Sequence, residues 1–233
     1  MRSPIAVLAM AALFAVSPLS AQVIPYEAVE VDADHFVAGG ERSLSLHLPP
    51  PPPIGASLGD YGPFRVLDGY RAALLDETDA ASPAQFAALL RDHPGIAVLE
   101  MIECPGTEDD LANLRLGRMI RARGIVTHVP AGGSVRSGGV ELFLAGARRL
   151  ADPGAEFAVH SWIDDTGMEP DDYAANAPEN RRYVDYYRQM GMTEREAEGF
   201  YAMTNSVPFA SARWLDAAEM GRWVHLDSPA TLQ

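Results

Sequence analysis

The sequence predicts an α/β domain built around a parallel sheet, and three observations carry that prediction. The run IAVLEMIE, bounded by His93-Pro94-Gly95 and Cys104-Pro105-Gly106, is continuously apolar apart from its glutamates, as a strand covered on both faces must be. The next stretch, TEDDLANLRLGRMIRARG, puts Leu111, Leu114 and Ile120 on one helical face and stops at Gly124. After it come IVTHVPA, SGGVELFLAGARRL and EFAVH, which read as strand, helix and strand. Strands that alternate with helices form parallel units with right-handed crossovers, so their loops gather at one carboxyl edge of the sheet, where ligand chemistry belongs.

The remaining elements follow in chain order. Residues 1–21 have a signal-peptide layout: Arg2, an apolar run from Ile5 to Val16, then Ser17-Pro18 and small residues up to Ala21. The apolar run is shorter than the roughly 20 residues a membrane span needs, so cleavage near Ala21 and a periplasmic or secreted location are expected. Residues 22–53 read as a small N-terminal β-hairpin followed by a polyproline linker at Pro49–Pro53, whose ring-locked residues neither continue a helix nor donate to a sheet. The main domain is expected over 61–233. Within it FRVLDGYRAALLDE reads as one or two strands, and SPAQFAALLRDH as a helix opened by Ser-Pro. The C-terminal third is polar, aromatic and helical from Pro170 to Met203, with a break at Gly191-Met192-Thr193. It closes on ARWLDAAEMGRWVHLD, read as a short helix and then a final strand.

Composition narrows the chemistry. The chain has 233 residues, 48% hydrophobic and 21% charged, enough for one substantial core. A net charge of −14 disfavours nucleic-acid binding, which needs a basic surface to displace counterions. All 18 cationic residues are arginines. Schiff-base enzymes, the P-loop and Ser-Lys dyads are therefore excluded, because arginine does not give up its proton. Cys104 is the sole cysteine, so no internal disulfide exists, and it reads as a small buried hydrophobe at a strand end.

Three loops leave successive strands at the carboxyl edge. Cys104-Pro105-Gly106-Thr107 precedes a helix, whose first N–H groups lack helical partners. Gly132-Gly133-Ser134-Val135-Arg136-Ser137-Gly138-Gly139 leads directly into the next helix, and EFAVH ends at His160. A serine at a glycine-flanked helix start leaves room for close substrate approach, and a histidine at the neighbouring strand end can take its proton. Ser137 in a tight turn and His160 as a hydrogen-bonded structural residue are the alternative readings of the same residues. His128, in VTHVP, competes as the base. A metal site using His128 and His160 lacks close ligand spacing.

The stretch from Ile96 to Trp162 resembles the Clp protease proteolytic subunit and its secreted relatives in the crotonase superfamily. It carries a Pro-Gly loop after one strand, a Ser-centred loop opening a helix, and a His after the next strand. The resemblance implies a ClpP/crotonase-like ββα superhelix with a parallel sheet. It implies Ser137 as nucleophile, His160 as base, and oxyanion amides at Gly138 and at Gly106 and Thr107, with no metal or organic cofactor. Thr107 stands where the family has a second glycine, and Ser211-Ala212-Arg213 stands where an aspartate would orient the histidine. Asn205, Asp164, Asp165 and Asp216 are the substitutes to test. Together these features lead to an exported, ATP-independent serine hydrolase acting on a peptide or small acyl substrate, with no ATPase partner. The alternative is an exported binding or assembly module on a degenerate catalytic fold. Homo-oligomerisation is the family's habit, and Tyr183, Tyr186, Tyr187 and Phe200 read either as a contact surface or as a cover for the sheet.

Overall fold

The computed structural model describes Arg42–Ser43, Ile54 and residues 56–228. The expected leader, the polyproline run and all of the expected N-terminal hairpin except Arg42–Ser43 lie outside the described residues.

The architecture is a superhelix of strand, strand and helix. The opening strands are β1 (Arg42–Ser43), β2 (Gly59–Tyr61), β3 (Phe64–Val66) and β4 (Arg71–Leu74), followed by α1 (Ser82–Asp92). Then β5 (Val98–Met101), β6 (Glu103–Cys104) and β7 (Gly106–Thr107) lead to α2 (Asp110–Ala122). The next turn is β8 (Val126–Val129), β9 (Ser134–Arg136) and α3 (Gly138–Leu144), and a third begins with β10 (Arg149–Ala151) and β11 (Glu156–Val159). Each pass lays one strand in a larger sheet and the next in a smaller one. The larger sheet has the order β10-β8-β5-β4-β3-β2, parallel from β10 to β4. The chain then closes with α4 (Pro178–Gln189), α5 (Glu194–Thr204), β12 (Arg213–Asp216) and α6 (Ala217–Met220). The smaller sheet runs β12-β11-β9-β6, with β12 alone antiparallel.

Three elements differ from the sequence reading. IAVLEMIE is two strands rather than one, because the chain steps between sheets at Ile102. The helix read over 137–150 ends at Leu144, and Arg149–Ala151 pairs with β8 as a parallel strand. The guanidinium of Arg149 reaches back to the Leu144 carbonyl at 2.7 Å, closing the helix end. At the C-terminus the predicted helix-then-strand order is reversed. Arg213–Asp216 is a strand and Ala217–Met220 a helix, since Asp216 is the N-cap, in a capping box with Glu219, and the helix cannot begin before it.

Tyr183, Tyr186, Tyr187 and Phe200 are each at most 2% exposed, so they cover the interior and offer no contact surface. Tyr186 and Tyr187 donate hydroxyls to the backbone carbonyl and the carboxylate of Glu141, each at 2.7 Å, and Tyr183 donates to Asp110. The helical C-terminal third is thereby fastened to α2 and α3, the two helices that carry the candidate site loops. Among the described residues no helix is long and apolar enough to cross a membrane.

Candidate active site

Two adjacent parallel strands lead the predicted nucleophile and base to the same edge of the sheet, where no hydrogen bond joins Ser137 Oγ to His160. β9 and β11 pair in register, ending at Ala158 opposite Arg136, and the Ser137 amide donates to the Ala158 carbonyl at 2.8 Å. Ser137 is one step beyond that pair and His160 two. Neighbouring strands lie about 5 Å apart, so both residues leave the same carboxyl edge with backbones in close approach. Ser137 and His160 are both 0% exposed.

Ser137 does none of the things a structural serine does. It occupies the N-cap position of α3, where a hydroxyl normally accepts from a first-turn amide, yet it makes no side-chain capping bond. Its Oγ is buried and has no hydrogen-bond partner. Its backbone sits at φ 50° and ψ −126°, and it is the only non-glycine residue with positive φ among the described residues. A side chain held in so unfavourable a conformation costs about 1–3 kcal/mol, which the surrounding fold must offset. The strain marks a sharp strand-to-helix turn.

The predicted oxyanion residues surround this turn. Gly138 is the first residue of α3, where N–H groups have no partner within the helix and the helix dipole favours developing negative charge. A Cβ at Gly138 would lie 2.6 Å from Thr107 Cγ2, and one at Gly139 would lie 2.9 Å from Cys104 Cβ, so the glycines allow the helix start to press against the neighbouring loop. Asn113 of α2 fixes that contact, its amide donating to the Gly138 carbonyl at 2.7 Å while its oxygen accepts from Thr78 Oγ1 at 2.9 Å. Thr107 is accommodated because the unusual backbone falls on Gly106, at φ 145°, and not on Thr107 itself. The Thr107 hydroxyl is spent on the Thr78 carbonyl at 3.1 Å.

His160 is oriented by the backbone carbonyl of the residue that follows it. Its Nδ1 lies 2.8 Å from the Ser161 carbonyl. A carbonyl only accepts, so Nδ1 carries a proton. The ring edge packs on Phe209, with centroids 5.1 Å apart.

The proposed substitutes for the missing aspartate are placed elsewhere. Asp216 pairs with Glu156, at the end of β11 opposite His160. Asp165 is exposed, whereas the imidazole is fully buried. Burial pushes the Asp164 carboxyl up, but hydrogen bonds from Tyr173, Thr166 and the Met168 amide outweigh it and bring it down to about 2, so this acid serves its own loop. Asn205 comes nearest, its backbone carbonyl 3.5 Å from Ser161 Oγ, but its amide nitrogen donates to Tyr201 and its Oδ1 accepts no hydrogen bond. The Ser161 carbonyl could not be foreseen, because a backbone group can accept from any position. Phe209 was missed because nothing local marks it as a neighbour of His160.

The competing base is remote from this chemistry. His128 lies on β8 in the larger sheet, with Nδ1 at 2.6 Å from Glu100 and Nε2 at 3.2 Å from Asp152. Burial raises the Cys104 thiol well above its ordinary value, so it stays protonated as a packing residue. Among the described residues no group of three or more His, Cys, Asp or Glu is arranged to hold a metal ion.

No family model and no curated protein matches the chain. Among solved structures it is similar to a point mutant of ClpP1 from Listeria monocytogenes, with TM-score 0.51 and 15% identity over 71% of this chain and 96% of that one. The 1510-N membrane protease specific for a stomatin homolog, from Pyrococcus horikoshii, aligns with TM-score 0.46 and 15% identity over 68% of this chain and 71% of that one. The first likeness shows the fold: the chain has the ClpP-like α/β architecture expected from its sequence.

Proposed function

We propose that the chain is an exported, ATP-independent serine hydrolase, peptidase-like in mechanism, acting on a peptide or small acyl substrate. The observation that carries this reading is Ser137, a strained, buried serine whose hydroxyl neither caps its helix nor hydrogen-bonds, one strand away from a histidine whose Nδ1 is held by the Ser161 carbonyl. In the reaction, Ser137 Oγ bonds to the substrate carbonyl carbon while His160 Nε2 takes its proton. Negative charge develops on the carbonyl oxygen beside the Gly138 amide and the Gly106–Thr107 loop. His160 returns the proton to the leaving group as the scissile bond breaks. Water, deprotonated by His160, then hydrolyses the acyl-enzyme. The orienting carboxylate of the usual triad is replaced by the Ser161 carbonyl, which fixes the tautomer but adds no charge to stabilise the imidazolium.

Export rests on the signal-peptide layout of residues 1–21, and N-terminal sequencing of protein recovered from a cell-envelope fraction tests it. The catalytic reading is tested by labelling with a fluorophosphonate. Wild type is expected to label, Ser137→Ala not at all, and His160→Ala at least ~100-fold more slowly, within the range set by loss of a general base. A wild-type protein that takes no label beside a reactive control would instead make the chain a binding module on a catalytic fold.

A further inference from the structure

The peptide group whose carbonyl faces His160 is held from both sides by α5 and the turn that follows it. On its near side the Ser161 amide donates to the Val207 carbonyl at 3.0 Å, and Ser161 Oγ donates to the same carbonyl at 2.9 Å. With nitrogen and Cβ both fixed, the tetrahedral Cα leaves one direction for the bond to the carbonyl carbon. On its far side Trp162 Nε1 donates to the Tyr201 hydroxyl at 2.9 Å, and that hydroxyl donates to Asn180 Oδ1 of α4 at 2.6 Å. The second tie fixes the plane of the peptide between residues 161 and 162, whose carbonyl meets His160 Nδ1 at 2.8 Å. The accepting turn is itself anchored. Asn205 closes α5, its amide and its side-chain nitrogen both donating to the Tyr201 carbonyl, at 3.1 and 2.7 Å. Ser161 and Trp162 are each 4% exposed, so water does not stand in for a bond lost here.

We propose that Ser161 and Tyr201 are positioning residues for His160, acting through the peptide group between Ser161 and Trp162 that aligns the imidazole. A carboxylate side chain can orient an imidazole from a distant element, because it brings its own anchorage with it. A backbone carbonyl one residue away can do so only if its peptide plane is held, and the two hydroxyls hold it at opposite ends. The helical C-terminal third thereby supplies, through a backbone group, the alignment that an aspartate side chain would otherwise give. The consequence for catalysis rests on the hydrolase reading above: a ring turned away from Ser137 takes its proton less often, so misalignment lowers the rate of attack.

The experiment uses the full-length protein and the NMR resonance of the His160 Nδ1 proton, identified by its loss in His160→Ala. In Ser161→Ala this proton is expected to move upfield and to exchange with water about 2–10-fold faster than in wild type, the range set by one net hydrogen bond. Ser161→Thr, which keeps the hydroxyl, is expected to retain the wild-type resonance. Tyr201→Phe removes the tie at the other end of the same peptide, so it is expected to act in the same direction as Ser161→Ala and decides the matter should that variant fail to fold. Loss of stability alone speeds exchange without moving the resonance. An unmoved resonance in folded Ser161→Ala, or in Tyr201→Phe where that variant decides, therefore overturns the proposal, and so does a Ser161→Thr protein that behaves like Ser161→Ala. Fluorophosphonate labelling slowed about 2–10-fold in Ser161→Ala adds the catalytic consequence. If no protein labels while the resonance behaves as expected, the positioning role stands and the hydrolase reading falls.

Discussion

At Ser137 the conformational demand of the turn and the chemical demand on the residue pull in opposite directions. A backbone at φ 50° suits glycine, and a buried hydroxyl without a partner loses the hydrogen bonds it would make in water. Ser137→Gly relieves the strain, and Ser137→Ala keeps it while removing only the hydroxyl. Denaturant unfolding is expected to find Ser137→Gly more stable than Ser137→Ala by about 1 kcal/mol, the part of the strain that remains after glycine's added freedom in the unfolded chain. A glycine variant less stable than the alanine variant would show that the turn is not strained. The positions of Ser137 and His160 at strand ends were legible in the sequence, since Gly138-Gly139 and the end of EFAVH mark them. The partner of His160 Nδ1 was not, because an aspartate leaves a trace in a sequence and the Ser161 carbonyl leaves none.

The apolar runs around residues 96–129 and the capped helices declared themselves at the scale of the element, whereas short strands inside polar or glycine-rich stretches did not. β9 hides in the Gly-rich loop because it is three residues long and includes Arg136, buried through bonds to Glu103 and to Ser134 Oγ. Helix packing also depends on one contact invisible in sequence: a Cβ at Gly117 of α2 would lie 1.9 Å from the Tyr186 hydroxyl. Gly117→Ala is expected to displace that hydroxyl from the Glu141 carbonyl and lower stability by ~1–3 kcal/mol, despite alanine's better helix propensity. A variant as stable as wild type in thermal unfolding would refute the contact. In the larger sheet, burial pulls the His128 pKa down from 6.5, but its hydrogen bonds and charge interactions with Glu100 and Asp152 outweigh this and raise it. Arg71 also faces Glu100, at 3.6 Å. A folded pKa raised above the unfolded value contributes stability that is complete below about 6.5 and is lost as pH rises through the folded value. Unfolding free energy of wild type should therefore decline with pH above 6.5, relative to that of His128→Gln. Parallel pH curves for the two proteins would rule out this contribution.

Taken as a whole, the molecule surrounds its candidate site with segments from both ends of the described chain. Phe209 packs against His160, and the backbone leading to it is tied down where Val207 accepts from the Ser161 amide at 3.0 Å and from Ser161 Oγ at 2.9 Å. The Phe209 amide donates to Glu169 at 3.1 Å. A reagent or substrate must displace part of this cover before it reaches Ser137, so opening enters the observed rate. An edge-on aromatic contact is worth about 0.5–1.5 kcal/mol, which corresponds to a factor of roughly 2–10 in an opening equilibrium. Phe209→Ala is therefore expected to speed fluorophosphonate labelling of Ser137 by about 2–10-fold with little loss of stability, because the ring is only half-buried. An unchanged rate would place the barrier to entry elsewhere. A lower rate would mean that Phe209 positions the imidazole instead of screening it, and the pH profile of labelling would then shift in Phe209→Ala but remain fixed in Phe209→Leu, which retains bulk against the ring.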